Sequence, residues 1–382
     1  MKDYYVILTG SKNNAGDFLI KYRAKKLFAA LRPDRNIVDL DAWKPFDQAS
    51  LDLVNNSKAL ILLGGPALQA HMYPGIYALT ANLDDIKVPV TTMGIGWKSI
   101  SGNWEDTYDY PLSASAMQLL RKVESSGLPM SVRDFHTLNA LAFKGIDNVL
   151  MTGCPAYYDL DYIGKPVQLP ETLHKVAFSL GVSFIESPSM DREMKAQILQ
   201  LKDYFKDAEF EVVFHHGLNS EVFLNVHKDG QEHNERHRQF AQWLQEKNIP
   251  YVDISGSAEN LINYYSKVDL HVGYRVHAHI FMSSVAKPSV LVAEDGRGKA
   301  VEKTVGGLVV SGFERYKVDI VAKLLGRLLP TYDRYRPNES IAKDIEVSLR
   351  YENLSGGQRL RGSRLMIDRN YEVMKSFVVR LP

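Results

Sequence analysis

Short apolar runs alternate with amphipathic segments along most of the chain, and this alternation limits the fold more than any other feature of the sequence. Segments such as Asp17–Leu31 place apolar residues at helical spacing between the runs. Strands that alternate with helices are typical of a parallel sheet with crossover helices. In the first half, strands are predicted near Tyr4–Leu8, Asn36–Leu40, Ala59–Leu63, Pro89–Met93, Met130–Val132 and Asn148–Met151.

The alternation restarts after a turn-rich segment between Asp159 and Glu171. A length of 382 residues fits two such units. We therefore expect two Rossmann-like α/β domains, 1–160 and 171–330, that face a cleft, and a helical tail at 331–382 that packs back on them. Ligands are expected at the carboxyl ends of the strands. In the second half, strands are predicted near Lys175–Leu180, Phe210–His215, Tyr251–Ile254, Val268–Val272, Ser289–Val292 and Leu308–Val310, and helices near Arg192–Tyr204, Glu232–Glu246, Ala258–Tyr265, His277–Val285 and Tyr316–Leu328.

The composition argues against several classes of protein. Lysine and arginine total 46 against 45 acidic residues, so no overall field favours nucleic acid, and no nucleic-acid partner is predicted. Cys154 is the only cysteine, which excludes an intrachain disulfide and a multi-cysteine zinc site. No apolar run is long enough to span a membrane, and the first strand is too short for a signal-peptide core. A cytoplasmic protein is expected.

The last 42 residues, Ile341 to Pro382, contain eight basic and five acidic side chains. A helix is predicted near Asp368–Val378. The basic charge has two interpretations, which stay open: peripheral contact with the anionic inner face of a membrane or a lipid-linked acceptor, or the solvated face of a packing helix.

Three familiar motifs are absent or incomplete. Leu354–Gln358 has the letters of an ABC-transporter signature, but no phosphate-binding P-loop accompanies it, so a glycine-rich turn is predicted. The turn after the first strand lacks the spacing of a dinucleotide-binding motif. His233 and His237 share a helical face, but no HExxH pattern surrounds them, so the histidines are interpreted as polar surface residues. No cofactor and no metal are predicted.

Cationic side chains follow several predicted strands, at the ends that should meet the cleft. Arg133 ends one strand, Arg275 lies in the turn after another, and Arg297 and Lys299 follow a third. Helix N-termini favour anions, and guanidinium groups bind carboxylate or phosphate bidentately, so this pattern predicts a site for a compact polyanion. His277, two residues after Arg275, could exchange a proton in the same pocket. Each arginine taken alone could equally form a structural salt bridge.

The turns that carry these residues resemble the polysaccharide pyruvyl transferase family. The resemblance extends from Asn14-Ala15-Gly16-Asp17 through Leu63-Gly64-Gly65 and Ser131-Val132-Arg133-Asp134 to its strongest element, Gly273-Tyr274-Arg275-Val276-His277-Ala278. Departures are Pro66, where the family often has a third glycine, Glu294-Asp295-Gly296-Arg297, where it has a Tyr-Asp-Pro-Lys-like turn, and Gly153-Cys154-Pro155-Ala156, where it often has Asp-Pro-Ala.

The resemblance implies a GT-B-like fold and transfer of the enolpyruvyl group of phosphoenolpyruvate to two hydroxyls of a sugar, glycan or lipid-linked saccharide. It implies donor-binding and catalytic roles for Arg133, Arg275 and His277. The expected donor clamp also contains Arg297 and Lys299, with His277 as proton carrier, acid first and base later. Asn14, Asp17 and Trp97 are expected on the acceptor side, although Asp17 could cap its helix and Trp97 could be a core residue.

Two other functions fit the same sequence. One is a GT-B glycosyltransferase that uses a nucleotide-sugar donor, since Arg297 or Lys299 could bind a diphosphate. The other is a polyanion-binding protein of the same fold without catalysis, acting in the assembly of surface polymers. The choice of donor separates the first from pyruvyl transfer, and the effect of replacing His277 separates the second.

Overall fold

The first half of the chain forms a parallel six-stranded sheet. The computed structural model describes residues 3–10, 12–99, 101–218, 230–315 and 335–382. The elements of this half are β1 (Tyr4–Thr9), α1 (Ala15–Leu31), β2 (Asn36–Asp41), α2 (Gln48–Asn55), β3 (Leu60–Leu68), β4 (Val90–Trp97), α3 (Ala114–Glu124), β5 (Met130–Val132), α4 (Phe135–Ala142) and β6 (Val149–Met151). The strands stand in the order β2-β1-β3-β4-β5-β6. The order reverses between β1 and β3, and a crevice opens at such a point.

The second half forms another parallel sheet of six strands, in the order β12-β11-β10-β7-β8-β9. These elements are β7 (Lys175–Ser179), α5 (Ser183–Glu186), α6 (Pro188–Tyr204), β8 (Glu209–Phe214), α7 (Gly230–Glu246), β9 (Tyr251–Asp253), α8 (Ala258–Tyr265), β10 (Leu270–Gly273), α9 (Val276–Ser284), β11 (Ser289–Ala293), α10 (Gly296–Val305) and β12 (Leu308–Ser311). The strand order reverses between β7 and β10. The helix predicted at Tyr316–Leu328 lies outside the described residues.

Two strands run further than the sequence predicts. Gly64 and Gly65 are predicted as a turn after β3, but β3 continues through them to Leu68, with an irregular register between Gly65 and Leu68. β4 likewise continues to Trp97, which pairs with Leu68. The prediction fails because glycine normally weakens a strand, whereas here β3 stays paired with the neighbouring strand β4 beyond both glycines.

The end of the chain is more regular than the sequence predicts. The strands β13 (Phe313–Arg315) and β14 (Tyr335–Pro337) pair antiparallel, and the helices α11 (Ile341–Ser355) and α12 (Gln358–Val379) follow. The sequence predicts only the second half of α12. The sequence pattern does not reveal α11, because Val347, Tyr351 and Leu354 are exposed and its apolar residues are therefore not confined to one face of the helix. The predicted glycine-rich turn is present between α11 and α12.

The two halves contact each other directly, and α12 packs against both. Leu19 in α1, Phe281 in α9 and Met374 in α12 belong to one buried apolar cluster. In α12, the Arg364 guanidinium donates to the carbonyl oxygen of Ser283 (3.0 Å). The apolar contact buries surface from both halves at once, so it holds them together around the cleft. None of the described helices has the length and apolarity needed to cross a membrane.

Candidate anion-binding active site

The first turn of α1 brings Asp17 and Gly16 to the cleft. Asn14 caps this helix: its side-chain oxygen accepts from the Gly16 amide (3.2 Å), and its Nδ2 donates to Asp17 Oδ2 (3.3 Å). Asp17 is therefore not the helix cap, and its carboxylate is held by the cap instead. Gly16 packs directly against the His277 ring, since a Cβ at this position would lie 2.3 Å from Nδ1. Only glycine permits this approach between the halves.

Arg133 enters the cleft from the end of β5. Its amide donates to the carbonyl of Ile95 (2.9 Å), which extends the pairing of β4 with β5 by one residue. The side chain crosses over Gly96, where a Cβ would lie 2.0 Å from Nε. Its closest carboxylate is Asp134, 3.5 Å from Nε, which is mainly engaged in capping α4 through the Thr137 amide (2.7 Å). The guanidinium is thus positioned by a strand end and a glycine.

The turn after β10 carries Arg275 and His277 and is fixed from below by Ser179 at the end of β7. The Ser179 Oγ accepts from the Arg275 amide (2.9 Å) and lies 2.7 Å from His271 Nε2. His271 Nδ1 in turn lies 2.7 Å from Ser289 Oγ. This buried chain of hydrogen bonds fixes the start of α9, and with it the direction of the Arg275 side chain.

Three buried nitrogen atoms at the cleft lack a hydrogen-bond partner among the described residues: Arg133 Nη2, Arg275 Nε and His277 Nε2. Buried polar groups are normally paired, because an unpaired donor costs about 1–3 kcal/mol. These atoms come from both halves of the chain. Of the three residues, Arg133 lines a small cavity between the halves, and Arg275 and His277 are not among its lining residues. The cavity is lined by Arg133, Asp134, Cys154, Tyr157, Val276, Ile280, Arg297, Ala300, Val301 and Thr304.

The electrostatics show that the arginines act on the same imidazole. Burial lowers the pKa of His277 to about 3, and the charges of Arg133, Arg297 and Arg275 contribute to the fall. The ring is therefore neutral at pH 7 when no anion is bound. Burial also lowers the pKa of Arg275 to about 10, which leaves it charged at pH 7. The roles predicted for Arg133, Arg275 and His277 stay a prediction, and the charges of both arginines act on the His277 ring.

Arg297 is more constrained than Arg133 and Arg275. Its Nε and Nη2 both donate to the Asp295 carboxylate, at 2.8 and 2.6 Å to Oδ2. The charge of Asp295 raises the pKa of Arg297 further. Arg297 therefore contributes positive charge to the cleft while two of its donors are already used. Glu294 acts on Arg275 only through its charge, and the Glu294 Oε2 accepts from the amide of Val182 (2.9 Å). The sequence analysis gave no role to either carboxylate, although Glu294 and Asp295 lie three and two residues before Arg297.

Two predicted site residues do not join this group. Trp97 is fully buried and stacks on His136, with ring centroids 4.8 Å apart, so it has no free face for a sugar and its assignment to the acceptor side is wrong. Lys299 packs against Gly102, and its charge acts on His136. Lys299 is not among the charges that act on His277 or Asp17.

A second pocket opens beside Asp17, at the reversal point of the first sheet. Asp17 is half-buried, and burial raises its pKa to about 6 against the opposing effects of Arg297, Asn14, Arg133 and Arg275. A carboxyl with this pKa can exchange a proton near neutral pH. The pocket is lined by Thr9, Gly10, Asp17, Ile20, Lys21, Leu63, Gly64, Gly65, Pro66, Ala67, Gln69 and Ile76.

We expect Asp17→Asn to stabilise the folded protein at pH 7.5 by about 1–3 kcal/mol and to have little effect near pH 4. The folded state binds a proton on Asp17 up to about pH 6, whereas the unfolded state loses it near pH 4, so the wild-type protein loses stability across this interval. Urea unfolding at both pH values measures the difference. Asp109→Asn is the control, because the Asp109 carboxylate is fully exposed. Equal effects at both pH values would contradict the raised pKa.

Other histidines are placed differently from the sequence prediction of polar surface residues. His215, His271 and His279 are buried. The His215 Nε2 lies 2.8 Å from the Tyr265 hydroxyl. The next residue, His216, lies beside His233 and His237, and the charge of Arg275 lowers the pKa of His216 in addition to the larger effect of burial.

Two parallel α/β sheets that enclose a buried cationic cleft define a protein of the GT-B structural type. The structure of S. aureus MnaA with UDP is similar over 97% of this chain and 92% of that chain, with a TM-score of 0.51 and 11% identity. UDP-GlcNAc 2-epimerase from Neisseria meningitidis, bound to UDP-GlcNAc, covers 98% of this chain and 99% of its own, at 14% identity and a TM-score of 0.46. At these identities the likeness concerns the fold.

The chain belongs to the polysaccharide pyruvyl transferase family. The sequence model of that family, polysaccharide pyruvyl transferase, matches residues 14–296, which begin at the helix cap Asn14 and end at Gly296, the first residue of α10. Comparison with curated proteins gives no match. The expected family and the expected GT-B-like fold are thus both confirmed.

Proposed function

We propose that the protein transfers the enolpyruvyl group of phosphoenolpyruvate to two hydroxyls of a sugar or glycan, giving a cyclic pyruvate ketal and inorganic phosphate. The observation that carries this proposal is the group of unpaired buried donors, Arg133 Nη2, Arg275 Nε and His277 Nε2, at a cleft where Arg297 adds a third guanidinium. Membership of the pyruvyl transferase family supports it.

A small trianion suits this cleft because its carboxylate and phosphate are close together and need several fixed donors. Arg133 is supplied by the first half, and Arg275 and Arg297 by the second, so a ligand between them contacts both halves. Guanidinium groups bind carboxylate and phosphate through paired hydrogen bonds. Arg133 and Arg275 have donors to spare and are assigned to direct contact, whereas Arg297 acts mainly through its charge.

The neutral state of His277 modifies the expected order of proton transfers. In the ligand-free protein, burial and three guanidinium charges keep the imidazole unprotonated at pH 7, so it cannot begin as an acid. Negative charge on a bound donor offsets the arginines and raises the pKa of His277, because a nearby anion favours the charged imidazole. The donor therefore binds with uptake of a proton by His277.

The proposed transfer has four steps, and every proton and bond in them is accounted for. His277 gives its proton to the methylene carbon of phosphoenolpyruvate, and the first sugar hydroxyl forms a bond to the neighbouring carbon while its proton passes to His277. The bond between that carbon and the phosphate oxygen breaks. The second hydroxyl closes the ketal, and its proton leaves on phosphate. Asp17, at the mouth of the second pocket, is assigned with Asn14 to orientation of the acceptor hydroxyls.

The choice of donor tests the proposal. We expect phosphoenolpyruvate at about 100 times its dissociation constant to raise the melting temperature by several degrees, since such a ligand stabilises by about 2.7 kcal/mol, and UDP- or GDP-sugars to give no shift. Phosphate release with a panel of sugar acceptors measures turnover. A shift with a nucleotide sugar alone would favour a glycosyltransferase. Binding of phosphoenolpyruvate without turnover on any acceptor would favour a non-catalytic anion-binding protein.

A further inference from the structure

Three imidazoles lie close together between the segment that follows β8 and the helix α7. His216 follows β8 by two residues, and His233 and His237 are one helical turn apart on α7. One ring nitrogen from each lies within 4.8 Å of the others. The His233 and His237 rings stack with centroids 4.2 Å apart, and the His216 centroid lies 5.5 Å from that of His233. The helical spacing of four is visible in the sequence, but the third histidine comes from a different element.

A hydrogen bond determines which nitrogen of the His237 ring carries the hydrogen. His237 Nδ1 lies 2.8 Å from the carbonyl oxygen of His233, and a carbonyl can only accept, so Nδ1 carries the hydrogen. The remaining nitrogen, Nε2, then has a lone pair directed away from the helix backbone. Metal-binding histidines commonly have this arrangement, with the second ring nitrogen donating to a carbonyl or carboxylate.

The segment that carries His216 is also held in place. The Leu218 amide donates to Asp253 Oδ2 (2.9 Å), which ties the segment after β8 to the end of β9. Phe184 and Phe214 pack on the His237 ring, with centroids 5.3 and 5.9 Å away, and close the apolar side of the cluster. One nitrogen from each histidine thus lies within 4.8 Å of the other two, beside aromatic rings and a hydrogen-bonded segment.

We propose that His216, His233 and His237 bind one divalent ion of the zinc class. Imidazole nitrogen suits Zn²⁺ and its neighbours among the transition metals, whereas Mg²⁺ and Ca²⁺ require oxygen ligands. In a tetrahedral site with bonds of about 2.0–2.1 Å, the ligand nitrogens are about 3.3–3.4 Å apart. The three nitrogens lie within 4.8 Å of one another, so small side-chain rotations that move each ring nitrogen by roughly an ångström bring them to this spacing. Three protein ligands leave the fourth position for water.

Positive charge near the three histidines lowers their affinity for a divalent cation, and nearby carboxylates offset part of this effect. Arg275 acts electrostatically on both His216 and His237, and its positive charge opposes a second cation. The buried Glu294 carboxylate acts on Arg275, and Asp253 acts on His237. These carboxylates offset part of the repulsion, so the charge of Arg275 does not exclude a metal ion here.

The test is Zn²⁺ binding by the full chain without a polyhistidine tag, after treatment with a chelator. We expect equilibrium dialysis to give one equivalent of Zn²⁺, retained in a large excess of Mg²⁺, and Co²⁺ to give a visible absorption band of tetrahedral type. His233→Gln and His237→Gln should each weaken Zn²⁺ binding by at least 10–100-fold, the range that loss of even an outer ligand contact produces. His174→Gln is the matched control, because His174 is exposed and lies outside the cluster.

The outcomes separate clearly. Binding of one equivalent by the wild-type protein and by His174→Gln, with loss in both cluster variants, supports the site. Failure of the wild-type protein to retain Zn²⁺, or equal loss in His174→Gln, would overturn it. Circular dichroism shows whether His237→Gln folds, and the more accessible His233→Gln decides if it does not. Donor binding is measured separately, so neither result depends on pyruvyl transfer.

Discussion

Replacing His277 with glutamine is expected to lower kcat for phosphate release from phosphoenolpyruvate and acceptor by about 10²–10⁴-fold, the usual contribution of a general acid–base group. The dissociation constant of phosphoenolpyruvate is expected to change much less. Glutamine is neutral, as the imidazole is before the donor binds, and it can still donate a hydrogen bond near the place of Nε2. Steady-state kinetics and isothermal titration calorimetry measure the two quantities.

A second readout concerns the proton itself. Wild-type binding of phosphoenolpyruvate should take up a proton, seen as a dependence of the binding enthalpy on the ionisation enthalpy of the buffer, and His277→Gln should abolish that uptake. His174→Gln serves as the control, because His174 is exposed and lines neither of the two pockets. A folded His277→Gln variant with unchanged kcat would remove His277 from the chemistry and favour a purely structural imidazole.

Replacing Arg133 with methionine is expected to weaken phosphoenolpyruvate binding by about 10²-fold and to lower kcat/KM by about 10²–10³-fold. Arg133 Nη2 is a buried donor without a partner among the described residues, and methionine keeps the unbranched aliphatic part of the side chain without the guanidinium and its charge. Loss of this guanidinium also removes one of the charges that lower the pKa of His277, so that pKa should rise in the ligand-free variant. NMR titration of the imidazole checks this.

Gly96→Ala tests the position of Arg133 without removing its charge. The new methyl group would fall 2.0 Å from Nε, and the flexible guanidinium end can move away, so the fold should survive while donor binding weakens. Arg192→Met is the matched control for loss of an arginine, because Arg192 is exposed on α6. Full donor affinity in both Arg133→Met and Gly96→Ala would contradict the assignment of Arg133 to the donor site.

The strand pattern of this chain could be predicted because parallel strands buried on both faces appear as short apolar runs. The prediction failed where local residue preferences conflict with the tertiary structure. Gly64 and Gly94 interrupt the apolar pattern, yet β3 and β4 continue through them because each strand supports the other. Trp97 extends β4 into a buried stack with His136, and no local signal distinguishes that core position from a sugar platform.

The site could be predicted in part for a related reason. Arg133 and Arg275 each follow a strand, and the carboxyl ends of parallel strands meet at one edge of a sheet, so their approach to the cleft follows from topology. Contacts that cross between elements have no such rule. The approach of His216 to the α7 histidines depends on side-chain distances that only the folded chain determines.

Main-chain hydrogen bonds bridge the mouth of the cleft. The Gly256 amide donates to the Asn13 carbonyl (2.9 Å), and the Gly296 amide donates to the Ser99 carbonyl (2.9 Å). We expect release of a product from between the halves to require that these bonds open. The rate at which these bonds open would then limit kcat. We therefore expect kcat to fall as solvent viscosity rises, even when every reacting group is intact.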